Sequence, residues 1–184
     1  RSTDREPAVA MANREALREL QTRLAERLQR ARTTVQSARW LAVECGRHGF
    51  LFPLTAAGEI FPAQALMPLP HAQPWFLGIA NVRGALHGVV DLTVFLGLET
   101  RSSWREGAQQ IGLNPSLGSH SAVLVHRLAG LRHGPQLQPL PRDDTPRPDF
   151  AGDRFADAQG RVWQEIDLAA LAHHPQFLAI ARSR

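Results

Sequence analysis

The 184-residue sequence predicts a mainly β fold of two lobes built on one plan, preceded by an amphipathic α-helix. Three observations support this. A helical stripe near the N-terminus gives way after Ser37 to short extended runs, those runs are punctuated by Gly and Pro through the body of the chain, and one strand–Asp–helix pattern occurs twice.

The helix comes first. From Asn13 to about Val35, the residues Leu17, Leu20, Leu24, Leu28, Ala31 and Val35 recur every three or four positions and so share one face. Glu15, Glu19 and Arg23, and again Glu26 and Arg30, supply the charges of the opposite surface, each series at four-residue spacing. Such a stripe can pack against the β lobes or a partner helix, or it can self-assemble as a coiled-coil scaffold.

Beyond it, residues 40–45 and 50–54 read as antiparallel strands joined by Gly46-Arg47-His48-Gly49, a sequence suited to a tight turn. Further strands are expected over residues 58–61, 86–91 and 122–128. The Pro-rich stretch 135–148, which contains Asp143 and Asp144, is expected to be an exposed loop, because proline lacks the amide donor a central strand needs.

The repeated pattern argues for two similar lobes. Gly84 is followed seven residues later by Asp91-Leu92-Thr93-Val94-Phe95-Leu96, and Gly160 seven residues later by Asp167-Leu168-Ala169-Ala170-Leu171-Ala172. In each, a glycine turn leads into an apolar strand, then an Asp able to cap a short helix.

Composition excludes several classes of function. All 21 basic residues are arginine, and the net charge is only +4, so the pI near 11.0 reflects missing lysines and tyrosines more than a basic patch. Spread-out arginine argues against nucleic acid, although a small nucleic-acid-binding β-barrel is kept as an alternative. With Cys45 as the single cysteine, an internal disulfide and a cysteine-based zinc site are excluded, and its apolar setting predicts a buried thiol.

No apolar run approaches a membrane span or a secretory signal, which gives an expected cytoplasmic location. The chain opens on Arg1 instead of Met, so the first ten residues are expected to be a processed or truncated start.

Catalytic signatures are missing: there is no Gly-x-Ser-x-Gly elbow, phosphate loop or His-Glu-x-x-His pair, and lysine chemistry is excluded. His173 and His174 would point about 100° apart on a helix and read as surface imidazoles, while Asp143 and Asp144 lie in a loop too mobile to hold catalytic geometry. No enzyme, cofactor or metal is expected.

Residues 75–98 carry the strongest signal. Leu77-Gly78, Asn81, Arg83-Gly84 and Val90-Asp91-Leu92 fit Leu-Gly-x-x-Asn-x-Arg-Gly followed by Val-Asp-Leu, the most recognisable stretch of the CheW family, which this chain resembles over roughly residues 40–178. Pro68-Leu69-Pro70 stands at the family's proline-marked approach, and residues 155–171 resemble its closing hairpin and helix. After residues 122–125 the Pro-rich stretch intrudes, so an abbreviated or irregular second lobe is expected. The N-terminal helix resembles that of adaptors in type IV pilus chemosensory systems that drive twitching motility.

The resemblance implies two five-stranded SH3-like barrel lobes with short capping helices, a first-lobe surface for the regulatory domain of a CheA-type histidine kinase, and an apolar groove between lobes for the cytoplasmic tip of a methyl-accepting chemoreceptor. It also implies a link to the membrane only through that receptor. Glu59, 24 residues before Arg83, stands where the family has the acidic partner of that arginine. The expected docking residues are Glu59, Gly78, Ile79, Asn81, Val82, Arg83, Gly84 and Leu86, with the glycines permitting close approach and Ile79, Val82 and Leu86 supplying apolar area. Residues 1–38 are expected to form a tail and helix, and residues 39–184 the CheW-like domain.

Overall fold

A computed structural model describes residues 17–26, 39–100 and 107–181. The chain divides into two compact units, Arg1–Ser37 and Ala38–Arg184. In the first, residues 17–26 form helix α1, with Leu17, Leu20 and Leu24 all exposed and Glu19 paired to Arg23 at 2.5 Å. The remainder of the expected helix, including Leu28, Ala31 and Val35, lies outside the described residues, as do the first ten.

The described residues of the second unit form eleven strands: β1 (Trp40–Cys45), β2 (His48–Pro53), β3 (Ala57–Pro62), β4 (Phe76–Val82), β5 (Ala85–Val90), β6 (Gln109–Leu113), β7 (Ser121–Val125), β8 (Arg127–Arg132), β9 (Gln138–Pro139), β10 (Ala151–Ala156) and β11 (Val162–Ile166). Helix α2 (Leu92–Phe95) follows β5, and α3 (Leu168–His173) and α4 (Pro175–Leu178) follow β11. One sheet has the order β3-β6-β7-β5-β4, the other β8-β1-β2-β11-β10-β9.

The two orders match strand for strand, with β9 added at an edge. In both, a hairpin (β4–β5 or β10–β11) lies antiparallel within itself, and its second strand runs parallel to a strand of a second hairpin: β5 to β7, and β11 to β2. The first lobe is contiguous in sequence, whereas the second borrows β1 and β2 from the start of the domain. The lobe expected to be abbreviated therefore has a full strand set.

Two sequence expectations need correction. Residues 122–128 are not one strand; the chain turns at His126 and passes from β7 in one sheet to β8 in the other, which the unbroken apolar texture conceals. The Pro-rich stretch is also not loop throughout. Residues Gly134–Gln136 form a 3-10 turn, Leu137 is buried, and β9 pairs with β10 at the sheet edge, where a proline's missing donor costs no ladder bond.

The repeated Asp is a helix cap in both lobes. Asp91 accepts from the Thr93 and Val94 amides, and Asp167 from those of Ala169 and Ala170. The largest core joins the lobes: Val43, Cys45, Phe50 and Phe52 meet Phe76, Val90, Ile111, Val123 and Val125, with Leu92 and Leu168 from the helices. Burying each phenylalanine side chain is worth about 1.5–3 kcal/mol. Alternation along β1 sends Leu41, Val43 and Cys45 into this core and Trp40 and Ala42 into a second-lobe cluster with Leu51, Leu137 and Trp163. The first lobe has its own cluster of Phe61, Ala80, Val89, Ala108, Ala122 and Leu124.

At the C-terminal end Phe177 stacks on Trp75 at 5.8 Å, and His174 meets Phe150 edge-on at 4.9 Å. His174 is thus half-buried among rings and is not the surface imidazole expected; His173 is exposed, its Nδ1 2.9 Å from the Ala169 carbonyl. Cys45 is buried with its Sγ near the Leu124 carbonyl, and burial pushes its thiol pKa up, keeping it neutral. No helix among the described residues is long and apolar enough to cross a membrane.

Candidate functional site

The tip of the β4–β5 hairpin is the most exposed part of residues 75–98. Val82 pairs with Ala85, leaving Arg83 and Gly84 as a two-residue turn with φ of 53° and 87°. Positive φ at both positions is the type I′ pattern that matches strand twist, and Asn or Gly normally supplies it. Arginine at the first position accepts a local backbone cost of roughly 1 kcal/mol. Asn81 steadies the turn by accepting from the Gly84 amide through Oδ1 at 2.9 Å.

Arg83 reaches Glu59 on β3, with Nη1 2.8 Å from Oε1. The arginine side chain is 80% exposed and the glutamate 52%, so water screens the pair and its net worth on its own is about 0–1 kcal/mol. The pair therefore orients the guanidinium more than it stabilises the fold. Beside it, Leu86 and Ile60 are exposed, and a hollow of about 320 Å³ opens between Glu59, Phe61, Val82, Arg83, His87 and Leu113.

The structure brings Glu59, Val82 and Arg83 to this hollow, places Gly84 in the same turn and the cross-strand pair Asn81 and Leu86 on the other side of the hairpin, and sets two expected residues apart. Gly78 is buried, with φ of 141°, and a Cβ there would lie 2.6 Å from the Met67 carbonyl oxygen. Its freedom serves an internal crossing of the 66–67 segment, which bridges to Ile79. Ile79 is half-buried against the interlobe core, so it offers little area to a partner.

A second concave surface lies between the lobes, where the family resemblance implies a groove whose lining residues the sequence did not name. A groove of about 710 Å³ runs between Leu96 and Leu98 of the first lobe and Phe50, Val162 and Ile166 of the second, with the 145–148 stretch as one wall. Arg47, Arg147, Arg154 and Arg161 line it with His48, and among the described residues no carboxylate does. Its residues come from segments up to about 120 positions apart, so no local pattern in the sequence identifies its lining.

The arginines around the groove are held by acids outside its lining. Glu44 pairs with Arg127 (2.8 Å, Nε–Oε2) and Arg161 (2.5 Å); the hydrogen bond from Arg127, together with the Arg161 charge, keeps its carboxyl below the usual glutamate range. Glu99 lies 3.4 Å from His48 and 3.7 Å from Arg47. Asp143, in the stretch expected to be too loose to hold Asp143 and Asp144 in catalytic geometry, pairs at the surface with both Arg147 and Arg154.

Comparison with known proteins agrees with this architecture. Residues 39–176 match the family model of the CheW-like domain. The chain is 30% identical over 165 residues to Protein PilI of Pseudomonas aeruginosa, covering 86% of this chain and 89% of that protein. The crystal structure of scaffolding protein TtCheW from Thermoanaerobacter tengcongensis matches with a TM-score of 0.58 at 16% identity, over 71% of this chain and 88% of that one, a likeness of fold. The mainly β, two-lobed architecture and these matches together show that the chain belongs to the CheW-like domain family.

Proposed function

We propose that this chain is a non-enzymatic adaptor that couples a methyl-accepting chemoreceptor to a CheA-type histidine kinase, in the manner of a type IV pilus chemosensory system. The observation that carries the reading is the Arg83–Gly84 turn: a strained, braced hairpin tip beside exposed Leu86 and Ile60. A preorganised surface of this kind gains affinity by avoiding the ordering cost of binding. The likeness to PilI and to a scaffolding protein supports the adaptor role, and the hairpin face suits the kinase's regulatory domain.

The groove between lobes suits the receptor tip, since its apolar floor and separate location let both partners bind together. The adaptor then reaches membrane-associated arrays through the receptor alone. Titrating the folded chain with the kinase regulatory domain, with a receptor tip hairpin, and with both tests this. A ternary complex is expected, and absence of kinase binding at tens of micromolar rejects the reading.

A further inference from the structure

The wall of the interlobe groove is unusual in how it is fastened. Between Leu140, whose amide bonds the Arg154 carbonyl, and Ala151, whose amide bonds the Pro148 carbonyl, no residue of the stretch 141–149 donates a backbone–backbone hydrogen bond among the described residues. Side-chain ion pairs hold it instead: Arg142 to Asp153 at 2.7 Å, and Asp143 to Arg147 and to Arg154. Pro141, Pro146 and Pro148 stiffen the stretch, so it can move as a strap about its ends.

The strap is also a partition. A second hollow of about 400 Å³ lies on its far side, lined by Arg142, Asp143, Asp149 and Gly152, and Thr145, Arg147, Pro148 and Ala151 face both spaces. Asp143 belongs to the far hollow, and from there it engages two arginines that line the groove. Arg154 keeps a buried Nε with no partner among the described residues. The hydrogen bond from Arg147 holds the Asp143 carboxyl below the usual aspartate range, so the clasp is ionised at neutral pH.

Resting on the groove as the receptor site, we propose that Asp143 is a resident competitor: it occupies the guanidinium groups of Arg147 and Arg154, both of which line the groove, and a carboxylate of an acidic, apolar-faced helical partner displaces it and frees the strap. Charge complementarity selects that partner, because four arginines and a histidine line the groove with no acid among its described lining residues, while Phe50, Leu96, Leu98, Val162 and Ile166 provide the apolar floor. The strap sets the fraction of open groove, and apparent affinity falls by that fraction.

The test compares the full chain with Asp143→Asn and with Asp143→Asn/Arg154→Gln. Each is titrated with a methyl-accepting receptor tip hairpin, with the same hairpin after its carboxylates are changed to amides, and with a single-stranded oligonucleotide. Asp143→Asn should bind the acidic hairpin about five-fold tighter, the second substitution should cancel the gain, and the amide hairpin should bind weakly to all. Equal or weaker binding by Asp143→Asn overturns the strap and leaves the groove as a docking site. Full-strength binding of the amide hairpin overturns the acidic partner. If no variant binds either hairpin, the groove reading fails and the strap with it; oligonucleotide binding alone assigns the arginines to phosphate.

Discussion

The two hairpins that head the lobes share a plan and use their arginines in opposite ways. In the second lobe β10 and β11 are joined by the longer Ala158-Gln159-Gly160 turn, relaxed by Gly160 at φ 78° and by Asp157, which accepts from the Gln159 and Arg161 amides. Arg161 then folds back, 4.7 Å over the Trp163 ring and paired with Glu44. In the first lobe the shorter turn forces Arg83 into positive φ and leaves it in solvent. One arginine is spent on the fold and the other is displayed, and the displayed one carries the backbone cost that a functional site is expected to bear.

The lobes also differ inside, and the largest expected effect tests that difference. Trp163, almost fully buried with its indole N–H on Asp157 at 2.9 Å, anchors the second lobe, whereas the first lobe's cluster is rich in alanine and Gln110, the cross-strand partner of its Leu124 and Phe61, is fully buried with neither amide atom paired among the described residues. Trp163→Ala should cost about 3–5 kcal/mol in urea unfolding. Gln110→Leu should stabilise by about 1 kcal/mol, since an unpaired buried amide is replaced by an apolar group. If Gln110→Leu destabilises, the amide has a partner and the contrast between the cores is lost.

The caps sharpen the comparison at a smaller scale. Asp91 is buried and also accepts the Thr93 hydroxyl at 2.6 Å, while Asp167 is exposed. Asp167→Ala should cost about 1 kcal/mol and Asp91→Ala about 2 kcal/mol. Equal losses in thermal melts would make the two helix starts energetically equivalent.

Acid should act on the second lobe first. Glu44 titrates below its ordinary range in the folded state, so its stabilisation is present at neutral pH and is lost as pH falls from the ordinary carboxylate range through the lowered value. Glu44→Gln should flatten the acid side of the stability curve while lowering stability at pH 7; an unchanged pH profile would remove Glu44 as the fastener of Arg127 and Arg161.

These contrasts also explain what was legible in the sequence. The glycine–strand–Asp–helix repeat was readable because every signal in it is local: a turn residue, an apolar run and a cap. Completion of the second lobe by β1 and β2 was not, because Gln164 pairs in parallel with Phe50 across more than a hundred residues and no local pattern records such pairing. At the site, Arg83 and Glu59 were readable through the family resemblance, while Gly78 was misassigned because a glycine needed for an internal crossing looks the same in sequence as one needed for a partner. The groove arginines stayed hidden because each is ordinary in its own neighbourhood and meaningful only once four segments meet.

The most direct test of the account is Arg83→Asn, measured twice on one sample. Asparagine suits the turn, so stability should hold or rise by up to about 1 kcal/mol, while affinity for the CheA-type regulatory domain should fall at least about ten-fold. Unchanged affinity in a variant of equal or greater stability would contradict the claim that the first-lobe hairpin tip is displayed for a partner.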